Sequence, residues 1–202
     1  MDGTLLDLAF DNFFWREVVP ARYADANGLT ADAAQRTLSA RFDAAAGTLA
    51  WYCLDHWTRD LGLDIKALKW SHRHLIRFLP GAPEFLAAVR ARGKRISIVT
   101  NAHRDTLAVK TAQTGVDRLV DGVVCAHDYR APKESAEFWR ALAQERAFDP
   151  QRTLLIEDSV PVLTAARRHG LRYTVAVRRP DSRLPPRAVA EFASVDGVAD
   201  LL

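Results

Sequence analysis

Ile96-Ser97-Ile98-Val99-Thr100-Asn101 is the stretch that decides the fold, a short apolar run that stops on two small polar residues. Just before it, Ala82–Arg92 has helical spacing and ends at Gly93; just after it, a helix from about Asp105 ends at Gly115. A short apolar run between two such helices reads as a buried strand. The pattern then repeats as strand Gly122–Cys125, helix Glu134–Arg146, strand Thr153–Ile156, helix Val160–His169 and strand Tyr173–Val177. Strands alternating with helices build right-handed βαβ units and a parallel sheet. Runs that are apolar throughout suit strands covered by helices on both faces. Beyond Pro180, the Pro185-Pro186 pair marks a loop that leads to a short terminal segment.

Before Pro80-Gly81 the grammar differs. Residues 8 to about 78 read as helix throughout, with apolar residues at helical spacing in Leu38–Phe42, Trp51–Leu54–Trp57–Leu61 and Ile65–Leu68. Gly28-Leu29-Thr30 breaks the first helix, and Thr30 can accept a bond from a free first-turn amide of the next. Gly47-Thr48 and Gly62 are further breaks. The expected architecture is α/β: a doubly wound parallel sheet formed by residues 1–8 and 80–202, with an all-helical module, residues 9–79, inserted near its start.

Composition narrows the function classes. The 202 residues are 49% hydrophobic and 26% charged, which is globular composition. No apolar run is long enough for a membrane span, and no basic-then-apolar leader is read at the start. Cys53 and Cys125 lie far apart, as expected of two buried thiols in a reducing, cytoplasmic setting rather than a disulfide or metal pair. The net charge of +3 comes from Lys and Arg scattered along helices, so no nucleic-acid partner is expected. A mildly positive field still favours a small anionic substrate. No obligate protein partner is evident. His72 and His74 are too closely spaced for one helix face, and surface positions are expected. His103 follows Thr100-Asn101, where a place at the mouth of a site competes with a plain surface one.

In open parallel sheets ligands bind beyond the carboxyl ends of the strands. The first such end carries Thr100-Asn101, whose hydroxyl and backbone amide suit a phosphoryl oxygen; a helix cap is the alternative. Another carries Glu157-Asp158-Ser159. Two adjacent acids suit Mg²⁺, which takes oxygen ligands, while Asp158 or Ser159 could instead cap the next helix. Pro132-Lys133-Glu134 follows the strand at Gly122–Cys125. Lys133 reads as either a solvated charge or a site cation, and a lysine at the start of a helix is unfavourable to the dipole.

Asp2-Gly3-Thr4, Thr100, Lys133 and Glu157-Asp158, in that order and at those strand ends, resemble the four motifs of the haloacid dehalogenase (HAD) phosphatase superfamily. The resemblance implies roles. Asp2 is the expected general acid/base, and its carbonyl an Mg²⁺ contact. Thr100, Asn101 and Lys133 are expected to hold the phosphoryl group, and Glu157 and Asp158 the metal. The family's first motif is a strand followed by Asp-x-Asp-Gly-Thr, so Met1 stands in the x position. The central strand and the nucleophilic Asp are then expected upstream of residue 1. The implied reaction passes through an aspartyl phosphate, which divides hydrolysis into two easier steps. Asp2 favours a phosphatase over the dehalogenase branch, since a departing halide needs no proton and a departing alkoxide does.

The inserted helices correspond to a cap module in this family. They are rich in aromatics (Phe10, Phe13, Phe14, Trp15, Trp51, Tyr52, Trp57, Trp70), read mainly as the module's own core, with stacking on a nucleobase as the sharper alternative. Leu5–Asn12, Trp51-Tyr52-Cys53-Leu54-Asp55, Thr100-Asn101-Ala102-His103, Gly170-Leu171-Arg172-Tyr173 and Pro180-Asp181-Ser182 resemble the bacterial GMP/IMP 5′-nucleotidase branch, with Glu157 where an Asp is expected. The implied substrate is a small phosphate monoester, a purine nucleoside 5′-monophosphate. The alternatives are a phosphatase for another small ester and a catalytically silent homologue that binds phosphorylated ligands. A buried central strand contributes roughly 8–15 kcal/mol at about 1.5–3 kcal/mol per apolar side chain, as much as a whole domain's stability of about 5–15 kcal/mol. The chain as written is therefore expected to be poorly soluble or molten, and without turnover.

Overall fold

A computed structural model describes all residues, 1–202. The first part is helical: α1 (Ala9–Phe13), a π turn (Phe14–Val18), α2 (Val19–Asn27), α3 (Ala31–Ala45), α4 (Leu49–Tyr52), α5 (Leu54–Leu61) and α6 (Ile65–Ser71). The reading of this region as all helix holds as far as the breaks foreseen at Gly28, Gly47 and Gly62. Gly28 ends α2 in the left-handed conformation that glycine tolerates without a Cβ penalty. Thr30 Oγ1 accepts from the Ala33 N–H at 3.2 Å and starts α3. Pro20 brings no N–H to its helix, and the wide π turn immediately precedes α2.

The remainder alternates: α7 (Ala82–Ala91), β1 (Ser97–Thr100), α8 (Arg104–Thr114), β2 (Gly122–Cys125), α9 (Ala136–Glu145), β3 (Leu154–Glu157), α10 (Val160–Arg168) and β4 (Tyr173–Val177). All pairings are parallel. β1 and β3 each run one residue further than the apolar runs do. The ladder bonds only backbone, so Thr100 and Glu157 join their strands despite polar side chains. Ile98 lies in one core cluster with Leu86 of α7 and Val109 of α8, and Val123 packs against it. The alternate residue Val124 lies in a second cluster with Phe138, Trp139 and Leu142 of α9, and Val99 packs against that. Helices therefore cover both faces, as a doubly wound sheet requires.

One expectation is corrected. The tail beyond Pro180 is more than loop. It adds β5 (Ala193–Val195), parallel to β4, and a 3₁₀ turn at Val198–Leu201. The strands pair as two parallel groups, β1–β2 and β3–β4–β5, and β4 is flanked on both sides. Exposed side chains at Leu154 and Tyr173 also depart from the reading of strands apolar and covered throughout.

The helical part joins the rest through two chain segments that bond to each other. Asp7 N–H donates to Arg77 O at 2.9 Å, and Leu79 N–H to Leu5 O at 2.8 Å. Asp7 is further fixed by Ser182, whose Oγ donates to it at 2.5 Å and whose N–H donates at 3.1 Å. Asn12 Nδ2 donates to Asp181 at 2.8 Å, so the segment after Pro180 clamps the entry to the helices. The main apolar cluster runs continuously from Leu54 and Trp57 through Phe10 and Leu6 to Ile98 and Val116. The helices thus share a core with the sheet rather than enclosing one wholly their own. Among the aromatics, Trp15, Phe42, Trp51 and Trp57 pack edge to face or tilted, with Trp15–Trp57 centroids 5.9 Å apart and Trp51–Trp57 centroids 6.2 Å apart.

Candidate active site

The site lies at the carboxyl ends of β1 and β3, where the loop Met1–Leu6 meets them. Met1 O accepts from the N–H groups of Thr4, Leu5 and Leu6, which curls the loop tightly. Gly3 has φ +70°, and a Cβ there would stand 2.6 Å from Asp158 Cγ and 2.7 Å from Asp158 Oδ2. Only glycine lets the Asp158 carboxyl lie against this backbone. The Gly of Asp2-Gly3-Thr4 is thus explained by the acid pair it faces.

Lys133 is not a solvated charge. It is 4% exposed, and its Nζ donates to Glu157 Oε2 at 2.5 Å. Burial opposes the charge on both partners, but the close pairing outweighs it. Glu157 is held well below the usual carboxylate range and Lys133 above the usual ammonium range. Asp158 goes the other way: burial, and then the adjacent Glu157 charge, push it up to about 8. The buried Met1 amino group lies in the same field, lowered by desolvation and by Lys133 and raised in part by Glu157, Asp2 and Asp158. An oxygen-only acid pair in which Lys133 serves Glu157 and Arg187 Nη2 stands 3.7 Å from Asp158 Oδ2 fits a hard divalent cation, which would return Asp158 to its ionised form. Ser159 N–H donates to Glu157 Oε1 at 3.2 Å, and neither Asp158 nor Ser159 caps α10 through its side chain.

Thr100 does not cap a helix either. Its Oγ1 accepts from Ala102 N–H at 3.0 Å, which leaves the hydroxyl proton free to donate. Asn101 is spent on positioning, since its Oδ1 accepts the Lys133 N–H at 2.8 Å and its Nδ2 donates to Glu134 Oε2 at 2.8 Å. The carbonyl of Lys133 is fixed in turn by Trp139 Nε1 at 2.7 Å. Tyr52, from the helical part, donates to Glu134 Oε1 at 2.9 Å and ties α4 to this network.

Asp2 has a partner that sequence reasoning missed. Lys110 of α8 is buried, with Nζ 2.5 Å from Asp2 Oδ1 and 2.5 Å from Asp11 Oδ2. Asp11 also accepts from Lys69 of α6 at 2.7 Å. Burial disfavours the Lys110 charge, yet Asp11 and Asp2 together raise it; Lys69 is lowered by burial that its one acid only partly offsets. The Lys69 Nζ sits 4.8 Å from the Phe14 centroid and 5.3 Å from that of Phe10. Asp2, Lys110, Asp11 and Lys69 thus form one buried ionic chain from the loop into the helices. Three different helices contribute the added members, and no local spacing could reveal it.

His72 is half-buried and bonded to Leu68 O, and His74 is exposed. Cys125 is buried and donates to Ala102 O, whereas Cys53 is only half-buried; both are free thiols. No helix is long and apolar enough to cross a membrane.

The model of one protein family, described as haloacid dehalogenase-like hydrolase, matches residues 1–170. The chain is 39% identical over 204 aligned positions to the GMP/IMP nucleotidase YrfG of Escherichia coli K12, spanning 100% of this chain and 91% of that one. A Shigella flexneri protein of the same name matches at the same level. Among solved structures, a HAD phosphatase from Thermococcus onnurineus superposes with a TM-score of 0.81 at 18% identity, covering 100% of this chain and 93% of the other. An L-2-haloacid dehalogenase from Xanthobacter autotrophicus superposes with a TM-score of 0.65 at 16% identity, covering 98% and 93%. These two likenesses bear on the fold alone.

Proposed function

The chain belongs to the haloacid dehalogenase-like hydrolase family, and from that premise we propose that its site is built for Mg²⁺-dependent hydrolysis of purine nucleoside 5′-monophosphates, GMP and IMP, in a reducing, cytoplasmic setting. The observation that carries the reading is the meeting of the Asp2-Gly3-Thr4 loop with the Lys133–Glu157–Asp158 cluster, through the contact that only Gly3 permits. The purine preference rests on the likeness to the Escherichia coli nucleotidase.

The residues take these roles. Asp2 gives a proton to the departing ribose oxygen and later accepts one from the attacking water. That need separates a phosphatase from a dehalogenase, and Asp2 meets it. The free Thr100 hydroxyl and the Lys133 ammonium hold phosphoryl oxygens, with Asn101 fixing the Lys133 backbone. Glu157, Asp158 and the Asp2 carbonyl are the proposed Mg²⁺ ligands, and the ion supplies charge neutralisation at the phosphoryl group. Residues 9–79 act as a cap over the leaving group, latched by Tyr52–Glu134.

The test measures phosphate release from a panel of nucleoside monophosphates by the full natural protein in Mg²⁺. GMP and IMP are expected to release phosphate faster than AMP, CMP or UMP. A protein inactive on GMP and IMP, or equally active on all five, would sink the reading.

A further inference from the structure

We propose that Cys53, His103 and His127 form a binding site for a thiophilic divalent cation, Zn²⁺ in the first instance, at the seam between the helical part and the strand ends. Their ligand atoms all lie within 4.8 Å of one another. The three come from separate, well-anchored places. Cys53 is the residue before α5, His103 is the residue before α8, and His127 sits in the 3₁₀ turn that follows β2.

A second observation points to a ligand. His127 Nε2 is buried and has no hydrogen-bond partner. A ring nitrogen left so is costly unless something occupies it. The His103 and His127 rings meet edge to face, at 89° with centroids 5.1 Å apart, which holds the two imidazoles side by side. The ring of His103 has a carboxylate near each nitrogen, Asp55 Oδ2 at 3.7 Å from Nε2 and Asp105 Oδ2 at 3.8 Å from Nδ1. His103 Nδ1 also accepts from the Asp105 N–H at 3.4 Å, so Nε2 is the nitrogen open to a metal; on metal binding the ring proton moves to Nδ1, with the Asp105 carboxylate at hand to orient the ring.

The donor set selects the ion. One thiolate and two imidazoles suit Zn²⁺ and other borderline or soft cations, while Mg²⁺ takes oxygen. The site is thus chemically distinct from Glu157 and Asp158. Bond lengths of about 2.3 Å to sulfur and 2.0 Å to nitrogen put tetrahedral ligand atoms about 3.3–3.5 Å apart. Closure from the present spacing is therefore a matter of side-chain rotation. Three protein ligands leave a fourth position for water. Binding releases the Cys53 thiol proton to solvent and leaves a metal–thiolate bond, with no redox step. Because Cys53 belongs to the helices and both histidines to the sheet ends, the ion would pin one to the other. The inference rests on placement alone and stands or falls independently of the proposed substrate.

The experiment uses the whole chain, stripped of metal and titrated with Co²⁺ as a spectroscopic probe in excess Mg²⁺. One equivalent is expected to produce a thiolate-to-cobalt charge-transfer band, which Zn²⁺ abolishes by displacement. Cys53→Ser removes the band, and His127→Asn weakens Co²⁺ binding at least tenfold, while His74→Asn, at an exposed histidine, leaves both unchanged. A second measurement needs no variant: one equivalent of Zn²⁺, but not Mg²⁺, slows alkylation of Cys53 at least tenfold, read by peptide mass spectrometry, and leaves Cys125 as it was. Bound Co²⁺ without a thiolate band, or an alkylation rate at Cys53 indifferent to Zn²⁺, would overturn the proposal.

Discussion

Gly3 and Asp158 show how much one contact decides. Gly3→Ala forces a side chain into a left-handed backbone, at about 1–2 kcal/mol, and drives its Cβ onto the Asp158 carboxyl. Chemical denaturation should register a loss of at least that size, and an unchanged midpoint would mean the loop relaxes freely. Asp158 carries a pH signature. Its pKa is raised in the fold to about 8, so its stabilising contribution is complete below the ordinary carboxylate value and fades as pH rises towards 8. A cation on the acid pair cancels that loss. The rise in melting temperature on adding Mg²⁺ should grow between pH 5.5 and 8.5, and Asp158→Asn should flatten the dependence. At this scale Thr100, Glu157 and Asp158 stand out in the sequence because polar residues end apolar runs there, whereas Asp2 and Lys133 stand out only by their resemblance to the family's motifs. That the Asn101 side chain serves Lys133 was not legible, because its partners lie more than thirty positions away.

The elements were legible where hydrophobicity and glycine agree. β2 and β4 have the predicted bounds, since Gly122 and Gly170 interrupt the chain just before apolar runs. β5 escaped because Ala193–Val195 is short and only its pairing with β4 makes it a strand. The ionic chain through α6 and α8 escaped for a different reason: it joins helices, and helical periodicity describes one helix at a time. Its energetics are testable. Asp11→Asn leaves Lys69 and Lys110 buried with insufficient counter-charge, and removal of one partner from such a group costs about 3–5 kcal/mol. Urea unfolding should show a loss in that range. Adding Lys69→Met to the same chain should recover part of it, because an apolar side chain then fills the place beneath Phe10 and Phe14. A double variant no more stable than the single would show that Lys69 contributes by packing rather than by charge.

For the whole molecule, the pairing of the strands matters most. β1 and β3, which carry Thr100 and Glu157, each have one paired neighbour among these residues. Amide hydrogen exchange should therefore be slowest in β4, which has neighbours on both sides, and faster in β1 and β3. Equal protection across all of them would imply a continuous sheet in solution. The parallel order was legible from the alternation of elements. Which strand pairs with which was not, because pairing is a long-range property that local apolar runs do not encode.

The distribution of indoles gives the molecule a built-in optical gauge. Trp15, Trp51 and Trp57 lie close enough together to share excitation, and Trp70 sits on the same helical side. Trp139 is alone across the seam, buried, with its N–H held by the backbone of Lys133. Near-ultraviolet emission is thus weighted towards the helices, and the Trp139 contribution can be subtracted by Trp139→Phe. What remains reports on the helices alone, so their loosening can be followed separately from that of the sheet without attaching any dye.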